Sequence, residues 1–308
     1  MSGIARTFRM RLPATSANLG SGFDAAAIAL SFSLQVEAEA AKEFSIEATG
    51  QDSDQCSRIE NNLILGIYRR ILVANAKPVP PLAIRMHNEI PLGMGCGSSA
   101  AGRLAAVALA VHFGELGWCH EQILEEACEL EGHPDNAAAC WLGGFVAAAN
   151  VGRRVLVARV EPPAAWRAIV VLPPDSLATS KARAVLPASY ASADVVANIQ
   201  AVSMLGLAFA QERGDLLKVA MQDRIHQPYR AEMCPMLPRL LPLAGNSGVL
   251  GVGLSGAGPS VLVIVECEAM FSRASEAILR AMGGLPEPRL QPCCFDASGA
   301  RHSLNLEG

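Results

Sequence analysis

The segment Pro91-Leu92-Gly93-Met94-Gly95-Cys96-Gly97-Ser98-Ser99-Ala100-Ala101 constrains this chain more than any other. Three glycines alternate with other residues, two serines follow, and Gly102 to Phe113 then reads as an alanine-rich helix. Glycine at that density lets successive backbone N–H groups turn toward one point and lets an anion approach the main chain closely. Ser98 or Ser99 is placed to cap the helix, whose N-terminus carries roughly half a positive charge. Together these features make a cradle for a polyphosphate. A plain glycine-rich turn before a helix is the competing reading. A Walker A loop is excluded, because no lysine follows the last glycine; the lysines are Lys42, Lys77, Lys181 and Lys218.

Length and composition narrow the setting. With 308 residues, 51% of them hydrophobic, the chain has material for two domains and is too apolar for disorder. A formal net charge of -4 gives no general attraction to nucleic acid or to anionic lipid, so neither is an expected partner. None of the nine cysteines stands in a C-x-x-C arrangement, which fits reduced thiols in the cytoplasm. Arg6, Arg9 and Arg11 interrupt the start, so no cleaved leader is expected. The apolar runs Leu104 to Phe113 and Val249 to Val265 are broken by polar or glycine clusters, so no membrane span is expected.

Periodicity places the elements. Met10 to Leu12 reads as a strand ending at the segment Pro13 to Asp24, and Ala26 to Glu39 as a strand leaving it. Asn61 to Val73 has helical spacing with Asn61 or Asn62 as cap, and Leu82 to His87 alternates as a strand into the glycine loop. Glu121 to Leu130 is helical, and Val151 to Val160 reads as one strand. Glu161-Pro162-Pro163 is the linker candidate. Beyond it come a strand from Trp166 to Leu172, helices near Asp194 to Glu212 and Leu216 to Met221, and strands at Val249 to Leu254 and Ser260 to Glu266. A helix from Ser272 to Met282 and a strand near Arg289 close the chain.

Two further segments join the central loop: PATSANLGSGFD from Pro13 to Asp24 and GLSGAGPS from Gly253 to Ser260. In order and spacing the three resemble the motifs of the galactokinase, homoserine kinase, mevalonate kinase and phosphomevalonate kinase superfamily, the GHMP kinases. The resemblance covers roughly Arg9 to Gly284. Three other stretches carry chemistry. Glu131-Gly132-His133-Pro134-Asp135-Asn136 offers a carboxylate for Mg²⁺ and donors for an acceptor, although a helix end with a turn explains it equally well. Thr179 to Pro187 contains Arg183, and Asp223 to Arg230 ends in Arg230. An arginine fork matches two carboxylate oxygens, whereas a lone arginine on a helix is usually a solvated one. All three stretches resemble motifs of the homoserine kinase branch.

The resemblance implies an α+β fold in two domains. Residues 1–160 form an N-terminal α/β domain with a left-handed β-α-β unit, and residues 161–308 a ferredoxin-like domain, with the active site between them. It implies ATP-dependent phosphorylation of the L-homoserine hydroxyl to O-phospho-L-homoserine, in threonine biosynthesis, and is compatible with a homodimer. Carried over residue by residue, Pro91 to Ala101 wraps ATP, Ser98 and Glu131 hold Mg²⁺, and Asn62 is a candidate adenine contact that helix capping explains equally. Asn18 and Asp24 take the substrate ammonium, Arg183 and Arg230 its carboxylate, and Asn136 with His133 the attacking hydroxyl; Gly256 closes the substrate side. Asn136 stands where other branches use an aspartate base, so a base is doubtful and Asp24 is the remaining carboxylate. Ser21 replaces a common proline and Ala137-Ala138-Ala139 a Val-Ala-Pro run, without loss of a ligand. The rival readings are a kinase of the same fold acting on an isoprenoid alcohol, and a catalytically silent ligand-sensing member.

Overall fold

The computed structural model describes residues 7–303. Six strands form the first sheet: β1 (Phe8–Asn18), β2 (Gly22–Ala40), β3 (Ser45–Gly50), β4 (Leu82–Asn88), β5 (Phe145–Val151) and β6 (Arg154–Val160). The order is β3-β4-β2-β5-β6, with β1 antiparallel to β2 along most of its length. β3 and β4 run parallel, so the chain crosses between them through α1 (Ser53–Cys56) and α2 (Leu63–Ala74). The first glycine-bearing motif is largely strand, since β1 continues to Asn18 instead of ending at Leu12. Val151 to Val160 is not one strand. Gly152 and Arg153 turn the chain, and β5 and β6 form a hairpin whose first strand hides in the apolar run after Asn136.

Three helices then follow: α3 (Ser98–Gly114), α4 (His120–Glu131) and α5 (Asp135–Leu142). α3 begins at Ser98, four residues before the alanine run. Its cap is Gly97 at φ +73°, and no side chain caps it, so neither serine takes the expected cap role. An apolar, alanine-rich helix belongs in the interior. Accordingly Leu104, Ala105, Val107, Ala108 and Leu109 are all fully buried, and α3 packs between α2, α4 and β1.

The second sheet contains β7 (Arg167–Leu172), β8 (Val249–Leu254), β9 (Val261–Val265) and β10 (Arg289–Cys293), ordered β10-β7-β9-β8 and antiparallel throughout. Between β7 and β8 lie α6 (Thr179–Ala184), α7 (Ser192–Ala210), α8 (Gly214–Ala220), α9 (Gln227–Arg230) and α10 (Met236–Leu240); α11 (Phe271–Ala281) joins β9 to β10. This is a split β-α-β arrangement, the ferredoxin-like order. Both faces are covered. Ala168 and Val170 of β7 and Leu262 and Ile264 of β9 join the large core that holds α3 and α5. Their neighbours Ile169, Val171, Val263 and Val265 join a second core with Leu237, Leu240 and Ile278. Double burial explains why β9 reads as an unbroken apolar run. The first sheet ends at Val160, the second begins at Arg167, and the large core spans both.

Among the described residues one helix, α7, is long and apolar enough by length and composition to cross a bilayer, although the sequence reading singled out other runs. Its alanine, serine, asparagine and glycine residues conceal the absence of charge after Asp194.

The third glycine motif packs on the phosphate loop. Ser255 Oγ donates to Gly95 O at 2.7 Å, and a Cβ at Gly95 would overlap the Ser255 carbonyl and stand 2.9 Å from that of Gly258. Gly95 also sits at φ +74°. Gly95→Ala therefore combines backbone strain with a clash that no rotamer relieves. We expect a loss of roughly 2–4 kcal/mol, read as a lower urea midpoint at unchanged m-value.

Candidate active site

Two cavities adjoin at the start of α3. The smaller, about 150 Å³, is polar and is lined by Asp24, Glu131, His133, Asn136, Arg183 and Arg230 among others. The larger, about 490 Å³, has apolar walls from Leu63, Met86, Ile90 and Leu92. Ser98 and Ser99 belong to both. The first N–H groups of a helix lack intrahelical partners, and here they open toward the junction without a side-chain cap. Gly97 must be glycine, because a Cβ there would overlap Thr15 Oγ1. Cys96 is buried; its backbone oxygen accepts from Thr15 N at 3.1 Å and burial pushes its thiol up to about 12, so it serves as packing. Pro91, Met94, Ala100 and Ala101 shape the loop, with Ala100 and Ala101 fully buried in the first turn of α3.

Gly132, at φ +86°, ends α4 and turns the chain so that Glu131, His133, Asp135 and Asn136 reach one place. Glu131 Oε2 accepts from Arg103 Nη1 at 2.5 Å and from Ser99 Oγ at 3.2 Å, while Oε1 lies 4.0 Å from His133 Nε2. His133 Nδ1 bonds Asp135 Oδ1 at 2.5 Å. Burial acts to lower the His133 pKa, but the Asp135 hydrogen bond and the charges of Asp135, Glu131 and Asp24 raise it overall. Asn136 is buried in the first turn of α5. Its Oδ1 accepts from Thr15 Oγ1 at 2.7 Å and its Nδ2 donates to Asp135 Oδ1 at 3.2 Å.

The opposite wall is built from the second half of the chain. Arg183 on α6 makes a two-pronged pair with Asp24, at 2.6 and 3.0 Å, so the carboxylate and guanidinium expected to face different poles of a substrate face each other. Asp24 sits at φ +54°. Arg230 is buried; its Nε donates to Ala182 O at 3.0 Å and its Nη1 to His226 Nδ1 at 3.1 Å. Burial first, then the Arg183 charge, lowers its pKa. Both guanidiniums lie near the Phe23 ring, at 5.7 and 5.4 Å. His226 Nε2 donates to Gly20 O at 2.8 Å, so the neutral ring is held in the tautomer that accepts from Arg230.

Two expected contacts spend their amides on the fold. Asn18 lines the small cavity, but its Oδ1 accepts from Asp24 N and its Nδ2 donates to Gly256 O at 2.7 Å. That bond braces the first motif against the third. Asn62 borders the large cavity as the cap of α2, accepting from Ile64 N and Leu65 N and donating to Cys56 O and Arg58 O. Several residues, Phe23 among them, escaped the sequence reading. Thr15, Asp135 and Thr179 lie inside motifs that had been singled out, and Arg103 stands four residues after Ser99, on the same helix face.

Family profiles match at both halves of the chain: the GHMP kinases N terminal domain over residues 62–144 and the GHMP kinases C terminal over residues 207–283. The chain belongs to the GHMP kinases. A homoserine kinase of Solibacter usitatus is 42% identical over 86% of this chain and 88% of the relative. One of Desulfitobacterium hafniense is 37% identical over 89% and 91%. Among solved structures, a homoserine kinase from Cytophaga hutchinsonii superposes at a TM-score of 0.82 with 24% identity, covering 97% of this chain and 98% of that one. A putative homoserine kinase from Listeria monocytogenes gives 0.78 at 27% identity, covering 96% and 98%. This GHMP kinase therefore has the superfamily's two-part α+β fold and its ATP-dependent transfer to an alcohol.

Thr15→Val keeps the shape of the buried side chain and removes the donor that fixes Asn136. Turnover, read by ADP release, should fall about tenfold or more while stability drops only by about 1–2 kcal/mol; unchanged turnover would remove Thr15 from the machinery. A second expectation concerns pH. The His226 pKa is lowered, chiefly by burial. The unfolded chain therefore takes a proton that the folded one resists, and stability falls as pH drops below the unfolded value of about 6.5. Urea unfolding at pH 7.5 and 5.5 should show a smaller pH difference in His226→Gln than in wild type.

Proposed function

We propose that this chain transfers the γ-phosphoryl of ATP to the side-chain hydroxyl of L-homoserine. The observation that carries the reading is the adjoining pair of cavities with the Asp24–Arg183 pair in the polar one. The larger cavity, with apolar walls from Leu63, Met86, Ile90 and Leu92 and polar groups such as Arg58 and Asn62 at its edge, suits a nucleoside, and the uncapped start of α3 suits its phosphates. The chain's identity with homoserine kinases, 42% and 37% in the two cases above, supports the acceptor. The boundary at residue 160/161 then divides labour, one half holding nucleotide and the other gripping the acceptor's carboxylate.

Mg²⁺ fits the donor set. Glu131 Oε2 is taken by Arg103 and Ser99, which leaves Oε1 as the hard oxygen for the ion, and Ser98 lines the same cavity. Held there, the ion would neutralise phosphate charge. The protein's own work is positional: Asn136, fixed by Thr15, marks where the hydroxyl sits, and the arginines fix the carboxylate. Asp24 is paired with a guanidinium and is assigned to the ammonium, not to proton abstraction.

The pair is partly exposed, 39% and 32%, so it can be exchanged. A zwitterion supplies a carboxylate to Arg183 and an ammonium to Asp24 at once, whereas an amine without a carboxylate frees Asp24 only by stranding Arg183. ADP release with L-homoserine, L-serine, L-threonine, mevalonate and 3-aminopropanol tests this. L-homoserine should be the preferred acceptor. Arg183→Ala should raise its KM about ten- to a hundredfold, as for a lost charge-assisted bond of roughly 1.5–3 kcal/mol. The same variant should use 3-aminopropanol no worse than wild type does. A preference for mevalonate would overturn the acceptor. Glu131→Gln should depress turnover far more than stability, and wild-type turnover at limiting Mg²⁺ would remove Glu131 from the ion.

A further inference from the structure

A third cavity, about 440 Å³, shares no lining residue with the two at the start of α3. It lies between α8, α9, α10 and β8, and its volume is within the roughly 300–1,000 Å³ of small-molecule sites. Met221, Leu237, Pro242 and Val252 give it apolar walls, and Lys218 and Arg224 bring positive charge to it. The phosphoryl transfer described above uses none of these groups.

Gln227 shows what kind of group belongs there. It is only 3% exposed, and its Oε1 accepts from Leu254 N at 2.7 Å, which fixes the orientation of the amide. Nε2 has no partner among the described residues, and the residue borders the cavity, so its donors are turned to that space. A buried donor without a partner is costly, and an acceptor is expected opposite it. Lys218 also has no ion-pair partner among the described residues; its stem folds over Gly245, where a Cβ would stand 2.9 Å from Cδ. Arg224 Nη1 is tied to Asp194 at 3.1 Å. The one carboxylate of the wall, Asp223, is spent. Its side chain has no exposure, and its oxygens accept from the backbone N–H groups of Ile225, His226 and Gln227 at 3.0, 2.9 and 2.7 Å. The wall therefore offers donors and positive charge, with no side-chain anion open to a cation.

We propose that this cavity is a second ligand site, for a compact apolar monocarboxylate that carries no ammonium group. The carboxylate accepts from Gln227 Nε2 and answers the charge of Lys218, and the hydrocarbon body covers Met221, Leu237, Pro242 and Val252. An amino acid would bring its ammonium to a wall without an open carboxylate, so the occupant differs in class from the acceptor of the polar cavity. The inference holds whichever alcohol is phosphorylated. A ligand held there touches residues that brace the catalytic frame. A Cβ at Gly20 would strike Met221 O, and Gln227 holds Leu254, next to the Ser255 whose hydroxyl bonds Gly95 O. α9 borders both spaces, Arg230 lining the polar cavity and Gln227 and Ala231 this one.

Titration calorimetry of the full chain with 3-phenylpropionate tests the site, and a Kd below about 1 mM is expected. The amide 3-phenylpropionamide has the same shape without the charge and should bind about tenfold more weakly. Lys218→Glu, at an exposed position, should weaken 3-phenylpropionate about tenfold or more, with wild-type circular dichroism and ADP release. Gln227→Glu keeps an acceptor for Leu254 N and turns the donor into a second acceptor, so it should weaken the acid as much; if that variant does not fold, Lys218→Glu decides. Arg183→Ala removes a cation of the polar cavity and should leave this affinity unchanged. The absence of binding at about 10 mM, or an amide that binds as well as the acid, would overturn the proposal. So would an affinity lost in Arg183→Ala and kept in Lys218→Glu, which would assign the acid to the polar cavity.

Discussion

Backbone meets backbone where the three glycine motifs converge, and the rest of the site depends on that closeness. The phosphate loop lies against β1 at Gly97 and against the third motif at Gly95, with no room for a side chain at either contact. Thr15 N and Ser255 Oγ bond the loop's own carbonyls, and Gly256 N bonds Ala17 O. Because the carbonyls are occupied by the scaffold, the loop's N–H groups are the side left to a ligand. Two segments from the first half and one from the second are pinned to each other within this contact. The relative position of nucleotide and acceptor is thus set by main chain, which holds geometry better than side chains with rotamer freedom.

The carboxylates of the polar cavity already have protein partners. Glu131 has Arg103, Asp135 has His133, and Asp24 has Arg183. Carboxylates that must receive cations are stored against protein cations, which limits the repulsion among them. The arrangement also means that a charged ligand enters by exchange. What matters for affinity is the difference between the new partner and the resident one, and this favours ligands that satisfy both ends of a pair.

Much of this was legible in the chain because glycine, proline and strand alternation are local signals. The α2 cap, the strand into the loop and the α4 helix could be read that way, whereas the residues named for the polar cavity came from the resemblance of whole motifs. What failed did so for physical reasons. The β5–β6 hairpin merged with its surroundings because a strand buried on both faces at its start does not alternate. The true start of α3 lay inside the glycine loop because a left-handed glycine, not a serine, caps it. For Asn18 and Asn62 the sequence shows a polar side chain at a cavity but not the hydrogen bonds its amide already makes within the fold. Arg103 is invisible until α3 and α4 are packed together, since its partner lies 28 residues away.

The large core has a kinetic consequence. It runs without interruption from α3 through α5 to β7 and β9, so the two sheets share one interior and cannot swing apart without exposing it. Opening and closing of the acceptor cavity must then fall to a lighter element. α6 is that element: of its residues only Ala182 is buried, and its visible tethers are the Arg183 pair and the bond from Arg230 to Ala182 O. Substrate that displaces the first tether loosens the segment it has just engaged. Release from the cavity then asks only a helix of under two turns to move, while the frame behind it stays packed.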